Sequence, residues 1–322
     1  MRYRQLGRTG LATSEIGYGT WGMGGDAWKG GSDEEALAAL RRSIELGVNF
    51  LDTALAYGQG HSEELIGQVL RDSRAEVLVA SKIPPLDRRW PPQPGVGIED
   101  VFPVRHIVES TEASLRNLGV ETLDIQQLHV WNPEWLGRTE WFRALEDLKK
   151  SGKVRFIGIS VNAHQPDSVL SLIETGWIDT VQVIYNIFEQ TPERNLFPLC
   201  LERNIGVIAR CPLDEGSLTG AITADTVFEP GDYRERYFGG ARRAQVIQRV
   251  AALQEDLAGV PGTLAEIALR FCLSHLAVAT VIPGMRRTRN VEANCLAADK
   301  GPLDPKVTGI LKRHAWDWSL RA

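Results

Sequence analysis

Eight times along this chain a short apolar stretch is followed by an amphipathic one, at intervals of about 25 to 35 residues. Strands are expected at 15–19, 48–51, 76–81, 122–128, 154–159, 180–184, 206–209 and 278–282. Helices are expected at 33–46, 104–118, 135–150, near 166–174, at 264–275 and at 288–298. Ser62, Glu63 and Glu64 open another after the second strand, and Thr191-Pro192-Glu193 opens one after the sixth, by an N-cap and an N1 proline. A chain that leaves each strand through a helix must lay its strands parallel, and eight such units close into a (β/α)8 TIM barrel.

Local punctuation agrees with that count. Ser32 with Glu35 and Thr263 with Glu266 are capping boxes, and Gly47 ends the first helix. Residues 2–6, 7–10 and 11–16 read as a short N-terminal β-hairpin around a GRTG turn, placed to plug the bottom of the barrel. After residue 302 a C-terminal helix begins at Asp304-Pro305 and leads into a tail, HAWDWSL. Two segments interrupt the repeat, 84–102 and 214 to about 243, and long loops in a compact domain usually serve function.

The 322 residues fit one barrel domain. A net charge of -5 with dispersed Arg and Lys argues against a nucleic-acid surface. Cys200, Cys211, Cys272 and Cys295 stand too far apart for a zinc site or a disulfide framework, so no metal is expected. The N-terminus lacks a secretory apolar core, and no apolar run of about 18 residues occurs, so a cytoplasmic, non-membrane protein is expected.

Barrel chemistry belongs to the C-terminal ends of the strands. Those ends read Gly19-Thr20-Trp21, Asp52 with Tyr57, Lys82, His129, Ser160 with Asn162, Gln182, Arg210 and Pro283-Gly284. Singly, each has an ordinary structural explanation; together on one face they describe a site. A phenol is a poor acid or base near neutral pH, and a neighbouring ammonium lowers its pKa. Lys82 is expected to do this to Tyr57, Asp52 to keep Lys82 charged, and His129 to hold a carbonyl oxygen in line with the phenol. Such a site supplies protons but no reductant, so a hydride donor is implied.

The segments FLDTALAYG-x3-SE-x2-IG, ASK, LHVWNP, GIS, QVIYN, PLDEGSLTG and IPG-x9-N, in this order, resemble the motifs of the aldo-keto reductase family over essentially the whole chain. The resemblance implies a catalytic tetrad of Asp52, Tyr57, Lys82 and His129, with Tyr57 as general acid, and NADP(H) extended across the top of the barrel. It implies Ser160 and Gln182 at the nicotinamide carboxamide, where the family's usual Ser-Asn is here Ser160-Val161-Asn162. Arg210 occupies the position of the residue stacked on the nicotinamide, and a planar guanidinium is suited to that. Pro212, Leu213, Gly216, Ser217 and Leu218 resemble the segment that covers the pyrophosphate through backbone N–H groups. Gly284 and Arg286, with Asn290 and Asn294, fall at the adenosine end, Arg286 at the 2'-phosphate and Arg287 and Arg289 adding charge; an arginine-rich loop opening a helix favours NADPH over NADH.

Gly17, Gly19 and Gly22 satisfy G-x-G-x-x-G, but a second Gly-rich loop follows instead of a helix. Gly19, Thr20 and Trp21 are therefore read as loop backbone beside the nicotinamide ribose. For a small-molecule carbonyl or sugar substrate, Trp21, Trp131, Tyr237 and Phe238 are candidate pocket walls, with Trp316 and Trp318 from the tail and Arg88, Arg89 and Trp90 from the first insertion. Two other readings are a nucleotide-sensing regulatory subunit of the same fold and a Schiff-base lyase built on Lys82.

Overall fold

The structure, a computed structural model, describes residues 1–316. Strands β1 (Tyr3–Gln5) and β2 (Ala12–Ser14) form the antiparallel hairpin, and β3 to β10 form the barrel wall. The wall comprises β3 (Tyr18–Gly19), β4 (Phe50–Asp52), β5 (Leu78–Ile83), β6 (Leu123–Leu128), β7 (Val154–Ser160), β8 (Thr180–Ile184), β9 (Gly206–Arg210) and β10 (Val278–Val281). Each strand is parallel to the next in chain order, and bridges Ile16 to Val281 and Gly19 to Gly284 join the first strand to the last. The (β/α)8 expectation holds. β5 begins two residues later than the expected start, which carries Lys82 inside the strand.

Around the wall run α1 (Asp33–Glu45), α2 (His61–Asp72), α3 (Ile98–Val101), α4 (Val104–Leu118), α5 (Glu140–Lys150), α6 (Leu170–Glu174), α7 (Leu196–Arg203), α8 (Tyr233–Tyr237), α9 (Arg242–Asp256), α10 (Leu264–Ser274), α11 (Thr288–Asp299) and α12 (Pro305–Lys312). Both capping boxes form half-way, since Ser32 and Thr263 accept from the N–H groups of Glu35 and Glu266. α5 shows why the helices pack as they do: Trp141, Ala144, Leu145 and Leu148 recur on one buried stripe.

Some boundaries differ. The 135–150 helix is broken, a 3-10 turn at Pro133–Trp135 preceding α5. Thr191–Glu193 forms only a 3-10 turn, so that proline opens a turn and α7 starts at Leu196. Ser62 does not cap α2, which starts at His61 with Gly60 at its N-cap. α9 is a helix that the spacing alone did not reveal, because its buried stripe is only Val246, Val250 and Leu253.

The hairpin plugs the barrel floor. Leu6 and Leu11 are buried in one cluster with Phe50, Ala80, Ile125 and Ile208 from inside the wall. Its turn must be glycine, since Gly7 has φ +52° and a side-chain carbon there would lie 2.2 Å from the Gly206 nitrogen. With the floor closed by apolar packing, the strands' other ends remain for polar chemistry.

Candidate active site

Parallel pairing places Asp52 at the end of β4, Lys82 late in β5 and His129 just past β6. Lys82 is fully buried, and its Nζ donates to Asp52 Oδ2 at 2.8 Å, to the Thr53 carbonyl at 2.7 Å and to Tyr57 Oη at 3.2 Å. The other Asp52 oxygen accepts from Gln182 Nε2 at 2.6 Å, reaching across the barrel. Tyr57 stands in a 3-10 turn, Tyr57–Gly60, whose next residue, Gly58, has φ +61°. A side-chain carbon at Gly58 would lie 2.3 Å from the Gly24 carbonyl oxygen, so glycine lets the phenol loop pack against the loop after β3. His129 lies edge to face with Tyr57 at 5.8 Å between ring centres. The structure brings together all four expected catalytic side chains.

Burial by itself pushes the Lys82 pKa down, but Asp52 and Tyr57 outweigh it and hold the ammonium above its ordinary value. A lysine held charged on three acceptors is not a nucleophile, which argues against the Schiff-base reading. Tyr57 departs from the expectation. Its pKa is raised, because burial disfavours the phenolate more than Lys82 favours it. Burial, then Lys82 and Arg210, push His129 well down, so its imidazole is neutral near neutral pH. Its Nδ1 is buried without a hydrogen-bond partner in the protein. The result is a protonated phenol beside a neutral imidazole, backed by a fixed cation.

From Tyr57 a cleft of about 580 Å³ runs outward, and Gly19, Thr20, Trp21, Asp52, Gln182, Arg210, Pro212, Leu213, Gly216, Gly284, Arg286 and Asn290 line it. Ser160, paired in register with Gln182, is buried behind that wall, as are Ser217, Leu218 and Asn294. Asn162 is committed elsewhere: its amide holds both the N–H and the carbonyl of Trp131, and Gln165. The inserted Val161 thus takes Asn162 away from the position where the family's asparagine is expected. Arg210 donates to the Val161 carbonyl at 3.1 Å, while its buried Nε has no hydrogen-bond partner in the protein. In the loop that follows, the N–H groups of Asp214, Gly216 and Leu218 bond carbonyls of the loop itself, so they are not available to an anion. Arg286 is half-buried and donates to the carbonyls of Gly22, Trp28 and Lys29, clamping the loop after β3. Arg287 is exposed on the cleft rim at the N-cap of α11, whose first turn no side chain caps. Arg289 is exposed outside the cleft lining. The apparent G-x-G-x-x-G is strand and 3-10 turn, with Gly22 packed under Arg286, so the dinucleotide-fold reading fails on structure.

Of the aromatic candidates, Trp21 lines the cleft, 6.4 Å from Tyr57 between ring centres. Trp131 and Phe238 are core instead, the first packed on Trp135 and Trp141, the second on Phe228. Tyr237 bonds Asp214, and Trp316 packs on Phe188, both outside the cleft lining; Trp318 lies beyond the described residues. Trp90 is the insertion's contribution, edge to face with His129 at 5.5 Å, and Arg88 is near enough to help keep that histidine neutral.

Sequence reading passed over Glu215, whose only signal was an acid pair inside a Gly/Pro-rich loop. Glu215 lines the cleft and accepts from Cys211 Sγ at 3.2 Å. Burial, against the Cys211 hydrogen bond, pushes its carboxyl up to about 7. A carboxyl raised in the folded state is held neutral there, so its ionisation erodes stability as pH rises from about 4.5 towards 7. Glu215→Gln, which mimics the neutral form, is expected to flatten the fall in melting temperature across that window. Parallel wild-type and variant curves would show that Glu215 ionises freely.

Among the described residues no group of three or more His, Cys, Asp or Glu is placed to hold a metal, and no helix is long and apolar enough to cross a membrane. The profile of the Aldo/keto reductase family matches residues 15–315. The chain is 30% identical over 321 residues to an NADH-specific methylglyoxal reductase of Escherichia coli (strain K12), covering 96% of this chain and 97% of that protein. It is also 30% identical to a probable voltage-gated potassium channel subunit beta of Arabidopsis thaliana, covering 94% and 93%. Among solved structures it resembles the holo form of an aldo-keto reductase from Bacillus halodurans, with TM-score 0.77, 28% identity and 98% and 96% coverage.

Proposed function

Because the chain belongs to the aldo/keto reductase family, we propose that it is an NADP(H)-dependent oxidoreductase that interconverts an aldehyde, ketone or sugar carbonyl and its alcohol, with Tyr57 as general acid and base. The observation that carries this reading is the three-way bonding of Lys82 to Asp52, the Thr53 carbonyl and Tyr57. A nicotinamide dinucleotide fits the cleft on two counts: the unpartnered Arg210 Nε at the inner end, and an uncapped helix N-terminus beside Arg287 at the outer end. Gln182, Arg210, Leu213, Arg287 and Asn290 would hold it. When bound, it supplies the hydride.

In reduction the substrate oxygen sits between Tyr57 Oη and the His129 ring. His129, being neutral, donates a hydrogen bond without giving up a proton. Tyr57 Oη delivers its proton to that oxygen as negative charge develops there, and Lys82 steadies the phenolate left behind. In oxidation the same phenolate takes the alcohol proton. Trp21 and Trp90 flank the substrate space, which suits an apolar or ring-bearing carbonyl carrier.

Consumption of NADPH and of NADH, followed by absorbance over a panel of aldehydes, 2-oxoaldehydes, ketones and sugars, tests the reading. Binding of dinucleotide without turnover on any carbonyl would favour the regulatory-subunit reading, for which the potassium channel subunit relatives speak and the assembled tetrad does not. Because Arg286 is spent on loop carbonyls, Arg287 is assigned the 2'-phosphate. Arg287→Ala is expected to weaken NADPH binding by about tenfold, the size of one charge-assisted contact, and to leave NADH nearly unchanged. Equal effects on the two cofactors would remove that assignment, and the presence of an NADH-specific relative makes the comparison informative.

A further inference from the structure

A carboxylate with no solvent exposure stands one shell behind the tetrad. Glu63 lies on the first turn of α2, where an amphipathic pattern would put a solvated acid, yet its exposure is 0%. Burying such a group is costly unless donors surround it. They do: Ser81 Oγ donates to Oε1 at 2.6 Å and Asn117 Nδ2 donates to Oε2 at 2.9 Å, with Ser114 also hydrogen-bonding the carboxyl. Ser81 precedes Lys82 in β5. Alternation along a strand sends the Ser81 side chain out towards α2 and α4 while Lys82 points into the barrel.

Ser62, the preceding residue and equally buried, grips the neighbouring strand end. Its hydroxyl accepts from Thr53 Oγ1 at 3.2 Å and donates to Thr20 Oγ1 at 2.7 Å, and Thr20 Oγ1 donates in turn to the Asp52 carbonyl at 2.9 Å. Thr53 is also the residue whose carbonyl accepts from Lys82. One helical turn therefore fastens both strands that carry the ion pair.

We propose that Ser62 and Glu63 are positioning residues of the proton-transfer site: Glu63 through Ser81, and Ser62 through Thr20 and Thr53, set the register at which Lys82 meets Asp52 and Tyr57. The inference rests on the hydride-transfer reading for its kinetic test. Lys82 is the charged group that faces Glu63 from the barrel side, with the neutral Ser114 and Asn117 on α4, and burial raises the Glu63 carboxyl against the pull of all of these and of Ser81.

Glu63→Gln keeps the shape and removes the charge; Ser81→Ala removes the link. Misplacing a catalytic group by less than an ångström is costly, so each is expected to lower kcat by about 10- to 100-fold, with dinucleotide affinity by fluorescence within about twofold of wild type. Because both act through one contact, the double variant should be no slower than the slower single variant. The alkaline limb of the reduction profile should move to higher pH in Ser81→Ala, because a displaced Lys82 steadies the phenolate less. Single variants with kcat within about twofold of wild type, or losses that multiply in the double variant, would overturn the proposal. If wild-type protein reduces no carbonyl, the proposed function fails on its own. Tyr57 titration, read as near-ultraviolet absorbance against Tyr57→Phe, then decides the positioning role: a raised pKa in Ser81→Ala, as Lys82 loses its contact with the phenol, supports it, and an unmoved one refutes it.

Discussion

Tyr57→Phe is expected to lower carbonyl reduction by ~10²–10⁴-fold while leaving the dinucleotide bound as tightly as before. The substitution removes one oxygen and keeps the ring that packs against His129 and Trp21. It deletes the weakest of the three Lys82 contacts, the one at 3.2 Å, while Asp52 and the Thr53 carbonyl still hold the ammonium. Folding stability should therefore change by only ~1 kcal/mol. The loss should fall in kcat, because the proton moves only in the transition state. Single-turnover measurements with prebound cofactor provide the check. Undiminished hydride transfer in this variant would remove Tyr57 from the mechanism.

Because burial raises the Tyr57 pKa more than Lys82 lowers it, reduction should persist well into the alkaline range. The acid form is the one reduction needs, and it is the form that burial favours. Oxidation needs the phenolate, so its rate should climb with pH over the range where reduction is flat.

Lys82→Met is the second large effect, and it acts on stability as well as on rate. Methionine fills similar space without a charge and leaves Asp52, 2% exposed, with Gln182 as its side-chain partner. Removing one member of a buried ion pair costs ~3–5 kcal/mol, because the other charge is stranded. The wild-type contribution is present in full below the ordinary lysine value of 10.5 and is lost only as pH rises through the higher folded value. Urea unfolding near neutral pH measures the deficit. Adding Asp52→Asn to Lys82→Met should restore much of the stability, since the stranded charge disappears, and none of the activity. A double variant as unstable as Lys82→Met would mean that volume rather than charge sets the penalty. A Lys82→Met enzyme with wild-type kcat would show that the phenol does not depend on the ammonium.

Much of the barrel was legible because strand and helix impose different periods on where apolar residues fall, and each period is local. The tetrad was legible for a related reason: its members stand at strand ends, and equivalent ends of parallel strands meet. Short or weakly striped elements were not legible. α9 buries only three side chains along fifteen residues, and Thr191-Pro192-Glu193 has helix-opening chemistry that yields just one 3-10 turn. That Glu63 is buried was not legible, because a helical pattern records which positions face inward only on average. Which way one first-turn carboxylate points depends on Ser81 and Asn117, distant in sequence and adjacent only after folding.

The division is sharpest at residues whose type was clear and whose commitments were not. Sequence by itself determined the eightfold strand-helix alternation, the plugged floor and the presence of an acid, a phenol, an ammonium and an imidazole at one rim, because local periodicity and parallel topology suffice for these. Tertiary structure decided the rest. It spent Arg286 on loop carbonyls, turned Asn162 to Trp131, buried Trp131 in the core and set Trp90 against His129. It also reversed the expected shift of Tyr57. The physical reason is that hydrogen-bond partners and desolvation are properties of three-dimensional surroundings, and a side chain offered to a ligand in sequence belongs to whichever group reaches it first in the fold.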